Sequence, residues 1–215
     1  MFLMFVVAMA VAMPNSYAQY EKMLKKEQKK EFKKKIKEYN KGKWEVFGTS
    51  HTLEVAVLNH YTKLQEEGAQ ELSGVASSFM SKNIGKQAAL NSAINDYARQ
   101  AQTIVRGRVL SDMFSDSDEV PAEFDKFYAA YEAMVVKEIK GELEPTYSII
   151  RSKGKDKDGK ETYEMVSFYI VNDAKASKAR MRAMENAFKE SNMAQQYAKK
   201  VSEFVSESFK IESSN

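Results

Sequence analysis

Apolar and polar positions alternate with two periods along this chain, and the switches between them mark most of its elements. The densest helical stripe is Phe124, Phe127, Tyr128, Tyr131, Met134, Val135 and Ile139, spaced three and four apart. That spacing predicts an amphipathic helix with one aromatic face. Leu53, Ala56, Val57, His60, Tyr61 and Leu64 predict another, with Thr49, Ser50 and Thr52 as cap candidates and Gly68 as its stop. Leu90, Ala93, Ile94, Tyr97 and Ala101 predict a third over Lys86–Gln102. Strand patterning appears at Trp44–Gly48, at Leu72–Met80, and most clearly at Thr146–Arg151 and Tyr163–Val171. Thr103–Met113 also reads as a strand, because Val105 and Val109 alternate with Arg106 and Arg108. Asp158-Gly159 marks a hairpin between the two clearest strands.

Toward the C-terminus, Asn172 or Asp173 caps a helix running to about Glu190, and Ala194, Tyr197, Val201, Phe204 and Val205 mark a last one. Pro121 is placed near the first turn of the aromatic helix. The order predicts an α+β fold with a mainly antiparallel sheet and helices packed mainly on one face, plus an N-terminal basic helix and C-terminal helices. Tyr97, Phe127, Tyr131, Phe168 and Ile170 are the expected core. No fixed-period repeat is present.

The first residues follow neither period. Met1–Met13 is an unbroken apolar run, closed by Pro14 and Asn15 and followed by Ser16-Tyr17-Ala18. This predicts a signal peptide over residues 1–18 with Gln19 as the mature N-terminus. The run is shorter than the roughly 20 residues that span a bilayer, so no transmembrane span is expected in the mature chain. No Cys follows the run, which argues against a lipoprotein.

Charge divides what remains. Residues 19–43 hold eleven Lys against four Glu, whereas the rest of the chain has more acidic than basic groups. Lys22, Lys25, Lys26, Lys29, Lys30, Lys33 and Lys37 line one face of a helix predicted over residues 20–39, and Phe32, Ile36 and Tyr39 form a short apolar stripe. Two roles fit: contact with an anionic envelope surface, or a solvated arm that docks its last two turns. The expected organisation is therefore a signal at 1–18, a basic arm at 19–43, one domain at 44–211 and a tail at 212–215.

Composition narrows the chemistry. With no Cys, disulfides, thiol catalysis and thiolate metal sites are excluded. His60 lies on an apolar helix face and His51 in a cap region, without metal-ligand spacing. Asp156-Lys157-Asp158-Gly159 fails the register of a calcium loop, since Gly154 and Met165 fall where carboxylates are required. Asp112, Asp116, Asp118 and Glu119 suit helix capping, and Glu138 and Glu142 beside Lys137 and Lys140 suit a charged surface. Phosphate-loop, dinucleotide-fold and nucleophile-elbow motifs are missing. We expect no catalytic residue, no cofactor, no metal and no nucleic-acid partner.

Gly74-Val75-Ala76, the small-residue helix through Ala89, Ala93, Tyr97 and Ala101, and the segment Thr103–Met113 read as extended resemble the LPP20-like envelope proteins, a family related to the N-terminal domain of a flagellar assembly protein. The resemblance covers roughly residues 70–185. The overall make-up is also similar to uncharacterised exported proteins of Bacteroides-type bacteria. It implies a Gram-negative periplasmic or outer-membrane-associated protein without enzymatic activity, and it carries no site residues. A non-enzymatic interaction or structural role with an envelope partner is expected, with a small-molecule or glycan-binding module as the alternative.

Overall fold

The computed structural model describes residues 29–114, 120–192 and 195–206. The chain divides into two compact units, Met1–Lys43 and Trp44–Asn215. In the first, residues 29–41 form helix α1. Lys29, Lys30, Lys33 and Lys37 are exposed on it, and Lys34 pairs with Glu38 at 3.9 Å. Lys22, Lys25 and Lys26, the proposed signal peptide and residues 212–215 lie outside the described residues.

The second unit runs β1 (Glu45–Phe47), α2 (Leu53–Leu64), β2 (Ala69–Phe79), α3 (Lys82–Met113), α4 (Ala122–Ile139), a 3-10 turn (Lys140–Glu142), β3 (Glu144–Lys155), β4 (Glu161–Asn172), α5 (Asp173–Ser191) and α6 (Gln195–Ser206). The four strands form one antiparallel sheet in the order β1-β3-β4-β2. The fold is α+β, with helices packed against the sheet.

Strand alternation gives the sheet two faces. Leu72, Gly74 and Ala76 stand beside Tyr169, Ser167 and Met165, and meet α3. Glu71, Ser73 and Val75 stand beside Ile170, Phe168 and Val166 on the other face. There Tyr147 and Phe168 stack at 4.4 Å beneath α2. The helices α3, α4, α5 and α6 share one core on the first face, built on Tyr97, Phe124, Phe127, Tyr131, Val135 and Ile139. All five expected core residues are buried. Along α5, Ala176, Ala179, Ala183 and Ala187 form a flat stripe against this aromatic layer. Phe127 stacks between Tyr131 and Phe188, 5.7 and 5.1 Å away.

The predicted strand at Thr103–Met113 is instead the second half of α3, which runs 32 residues. Val105 and Val109 fit a period of two, but with Ala98 and Ala101 they also continue a helical stripe, and all four are buried. Burial of that stripe outweighs the strand preference of Val and the helix cost of Gly107, which is about 1 kcal/mol. This correction removes a fifth strand and the extended segment that the family resemblance used.

Other boundaries move less. Pro121 precedes the first residue of α4 as its cap rather than sitting inside it. Thr52 and Asn172 cap α2 and α5 with their side chains. The hairpin β3–β4 extends to Lys155 and Glu161, beyond its apolar part. At its tip the Asp156 carboxylate accepts from the amides of Asp158 (2.9 Å) and Lys160 (2.8 Å), which is turn chemistry.

Candidate functional site

Three arrangements in the Trp44–Asn215 unit have the makings of a site. The first lies under α2. Glu71 on β2 and Glu144 on β3 both pair with Ile170 of β4, so the two carboxylates flank one apolar residue across the sheet. His60 and Lys63, three residues apart on α2, reach them. His60 Nε2 is 2.5 Å from Glu71 Oε2, and Lys63 pairs with Glu144. On its other side His60 Nδ1 is 2.8 Å from Thr146 Oγ1. Thr146 is the extra residue of a bulge between Pro145 and Tyr147, which is what turns its hydroxyl toward the helix.

Proton counting defines what this cluster does. The Thr146 hydroxyl gives its one proton to the Phe168 carbonyl at 2.9 Å. Toward His60 it therefore accepts, and Nδ1 carries a proton. A carboxylate, an imidazole and a hydroxyl in line have the atoms of a nucleophilic triad, but here the polarity is reversed. The imidazole donates to the hydroxyl and does not withdraw its proton. The ring is also 1% exposed, caged by Tyr61, Tyr147 and Phe168. The cluster is a clamp that sets α2 on the sheet. His60 is thus a packed histidine with both ring nitrogens bonded. His51 is exposed, its amide bonded to Thr49 Oγ1.

The second arrangement is inside the helical layer. Arg180 of α5 is fully buried, donates to the Tyr97 hydroxyl at 2.7 Å, and lies 3.9 Å from Asp173. Burial pushes the Tyr97 phenol up, with the Arg180 charge opposing in part. Burial likewise raises Tyr131, and raises Tyr128 to about 12. The hydroxyls of Tyr128 and Tyr131 have no hydrogen-bond partner among the described residues. These phenols stay protonated at neutral pH, so none serves as an anion or base.

The third is the free side of β2. This 11-residue strand pairs with β4 along one side, and no strand pairs with its other side among the described residues. Edge strands are usually blunted by Lys, Pro or inward charges. Leu72–Ser77 has none of these, and Glu71 is held by His60. Only at Ser78, with φ of 58°, does a bulge end the regular edge and turn Phe79 toward α3. Val75 on this strand is 49% exposed, and Met80 (53%) and Ile84 (65%) are exposed just beyond its end in the chain.

The remaining predicted positions carry no site. Asp112 pairs with Arg108 at 3.7 Å, and Asp116, Asp118 and Glu119 lie outside the described residues. Glu138 and Glu142 together hold Arg182 of α5, at 2.5 and 3.0 Å, a tertiary bridge that their i,i+4 spacing did not announce. No group of three metal-ligating side chains occurs among the described residues. Among them, too, no helix is long and apolar enough to cross a membrane. No protein-family model matches the chain, and no curated protein matches it.

Proposed function

We propose that the protein is a non-enzymatic interaction protein of the cell envelope. The observation that carries this reading is the edge of β2, which no strand pairs among the described residues, together with the exposed apolar side chains Val75, Met80 and Ile84. Unpaired strand edges and exposed apolar patches are prone to association, so a chain that keeps them is suited to a partner that covers them. The polar clusters support the same reading, since His60 and Arg180 are bonded within the fold and present no reactive group. The place of action rests on the apolar run Met1–Met13 and the small-residue site at Ser16-Tyr17-Ala18. Kinship with the LPP20-like proteins is part of the proposal, and its small residues have a physical use here: Gly74, Ala89 and Ala93 are where α3 rests on β2.

Chemical cross-linking of whole cells that express the full chain, followed by purification and mass spectrometry, tests this. Reproducible envelope partners, absent with an unrelated exported control, are expected. Recovery of the same background proteins from both overturns it.

A further inference from the structure

Helix α1 concentrates the charge of its unit on one face. At about 100° per residue, Lys29, Lys30, Lys33, Lys34, Lys37 and Lys41 fall within an arc of about 140°. All six are exposed. The acidic residues of the helix, Glu31 and Glu38, lie outside that arc, and Glu38 reaches only its edge, 3.9 Å from Lys34. Phe32, Ile36 and Tyr39 form a separate stripe centred about 120° away. Tyr39 is buried and the other two are half-buried. Lys35 turns over the Tyr39 ring, 5.6 Å from its centre, and so stands apart from the lysine face.

A solvated helix face usually alternates its charges, so that a Lys has a Glu one turn away. This face repeats the same charge at that step, through Lys29, Lys33, Lys37 and Lys41 and again from Lys30 to Lys34. Like-charge pairs of this kind destabilise a helix, and a surface of opposite charge relieves them where water alone does not. The chemistry of the face selects among anions. Residues 19–43 contain no Arg. Lys is a compact point charge without the planar fork that grips one phosphate or carboxylate. No aromatic ring lies within the arc to stack a nucleic-acid base. The six lysines spread along about 18 Å of a convex helix, not around a cup that would enclose one soluble ligand. What fits is a broad layer of fixed negative charge, and a membrane surface is such a layer. Beyond residue 43 acidic groups outnumber basic ones, so the attraction belongs to the arm.

We infer that the lysine face of α1 binds the anionic phospholipid headgroups of a bilayer and holds the protein reversibly at the membrane surface. This rests on the cell envelope as the place of action and not on the edge of β2. The arm adsorbs without inserting, because its apolar stripe points away from the lysine face and Tyr39 is already buried. Each lysine close to an anionic surface is worth about a fivefold change in binding. The attraction decays over about 8 Å at physiological ionic strength and about 30 Å at low salt, so the association is strongly salt-dependent.

Co-sedimentation of the full chain with vesicles tests this. Vesicles of phosphatidylcholine mixed with phosphatidylglycerol are compared with phosphatidylcholine alone, at low and at physiological ionic strength. One variant carries Lys29→Gln, Lys33→Gln, Lys37→Gln and Lys41→Gln on the arm. The other carries Lys153→Gln, Lys155→Gln, Lys157→Gln and Lys160→Gln on the exposed tip of the β3–β4 hairpin and loses the same charge. Gln keeps the helix propensity of Lys, and circular dichroism checks that both variants fold. The apolar run Met1–Met13 is common to all three proteins, and phosphatidylcholine alone reads its contribution. We expect binding to the mixed vesicles only, weakening at least about tenfold on going to physiological salt. The arm variant should bind at least about fiftyfold more weakly at low salt, and the hairpin variant as the wild type does. No binding to the mixed vesicles at low salt overturns the inference, as does equal binding to both kinds of vesicle. An arm variant that binds like the wild type overturns it too, and so does an equal loss in both variants, which makes the effect one of bulk charge. If lipopolysaccharide or duplex DNA is bound while the mixed vesicles are not, it is overturned in favour of that polyanion. None of these outcomes decides the reading of the β2 edge, which cross-linking in cells tests separately.

Discussion

The two faces of the sheet are held by different physics. On one, α3 to α6 build a continuous aromatic and alanine layer in which shape and area dominate: Phe124, Phe127, Tyr131, Val135 and Ile139 are fully buried. On the other, a single 12-residue helix lies over Tyr147 and Phe168 and is oriented by directional bonds, His60 to Glu71 and Thr146, and Lys63 to Glu144. A broad interface finds its register by packing, because any shift opens voids. One short helix has too few contacts for that. The directional bonds supply its register, and they do so with groups that would be costly to bury unpaired.

The sharpest break of this comparison is Phe127→Ala, which removes a ring stacked on two others and should cost about 3–5 kcal/mol in urea unfolding. A loss below about 1 kcal/mol would mean the helical layer is not held by area. Next is Gly74→Ala. Its Cβ collides with α3 backbone and not with a flexible side chain, so about 3 kcal/mol or more is expected. If the variant is as stable as wild type, α3 does not rest on β2.

A pair of hydroxyl deletions separates the faces directly. Thr146→Val keeps the volume but strands His60 Nδ1 and takes one donor from the Phe168 carbonyl, and should cost about 1–3 kcal/mol. Tyr131→Phe, on the helical face, removes a hydroxyl with no partner among the described residues and should be neutral or gain up to about 1 kcal/mol. Equal losses in both would erase the distinction.

Alkaline pH addresses the buried phenols of the helical face. Tyr97, Tyr128, Tyr131 and Tyr169 all belong to its core, and burial raises each above the ordinary value near 10. A folded value above the unfolded one means this stabilisation is complete below about pH 10. It drains away as pH rises toward about 12, the value for Tyr128. Unfolding free energy that falls over that window, in step with tyrosinate absorbance, is expected. Phenols that ionise near pH 10 without loss of stability would contradict their burial. The smallest effect is Gly107→Ala. Position 107 is inside α3 with nothing within 4 Å of an added Cβ, so a gain of up to about 1 kcal/mol should appear in the melting temperature. A loss would restore the strand reading of that segment.

Much of the fold was legible because its signals are local. The aromatic stripe of α4, the caps Thr52 and Asn172, and the apolar strands at 146–151 and 163–171 each follow from residues a few positions apart. The segment 103–113 was ambiguous, since Val105 and Val109 satisfy both periods, and only the layer they pack into breaks the tie. The α2 clamp was legible only as a buried His60. Its partners are 11 and 86 residues away, and the hydroxyl is aimed by a bulge that leaves no mark in the pattern.

What the amino-acid sequence determined by itself was the set of amphipathic elements, the α+β class and the inventory of side chains, with Cys absent and His scarce. Strand order belongs to the tertiary structure. Nothing in Leu72–Ser77 states that β2 stands at an edge, because the same alternation would serve in the middle of a sheet. The edge exists because β4 pairs with β3 and β2, β1 takes the far side of β3, and α3 settles over Gly74. Which backbone groups remain free is a property of that arrangement as a whole, and so is the surface on which the proposed function rests.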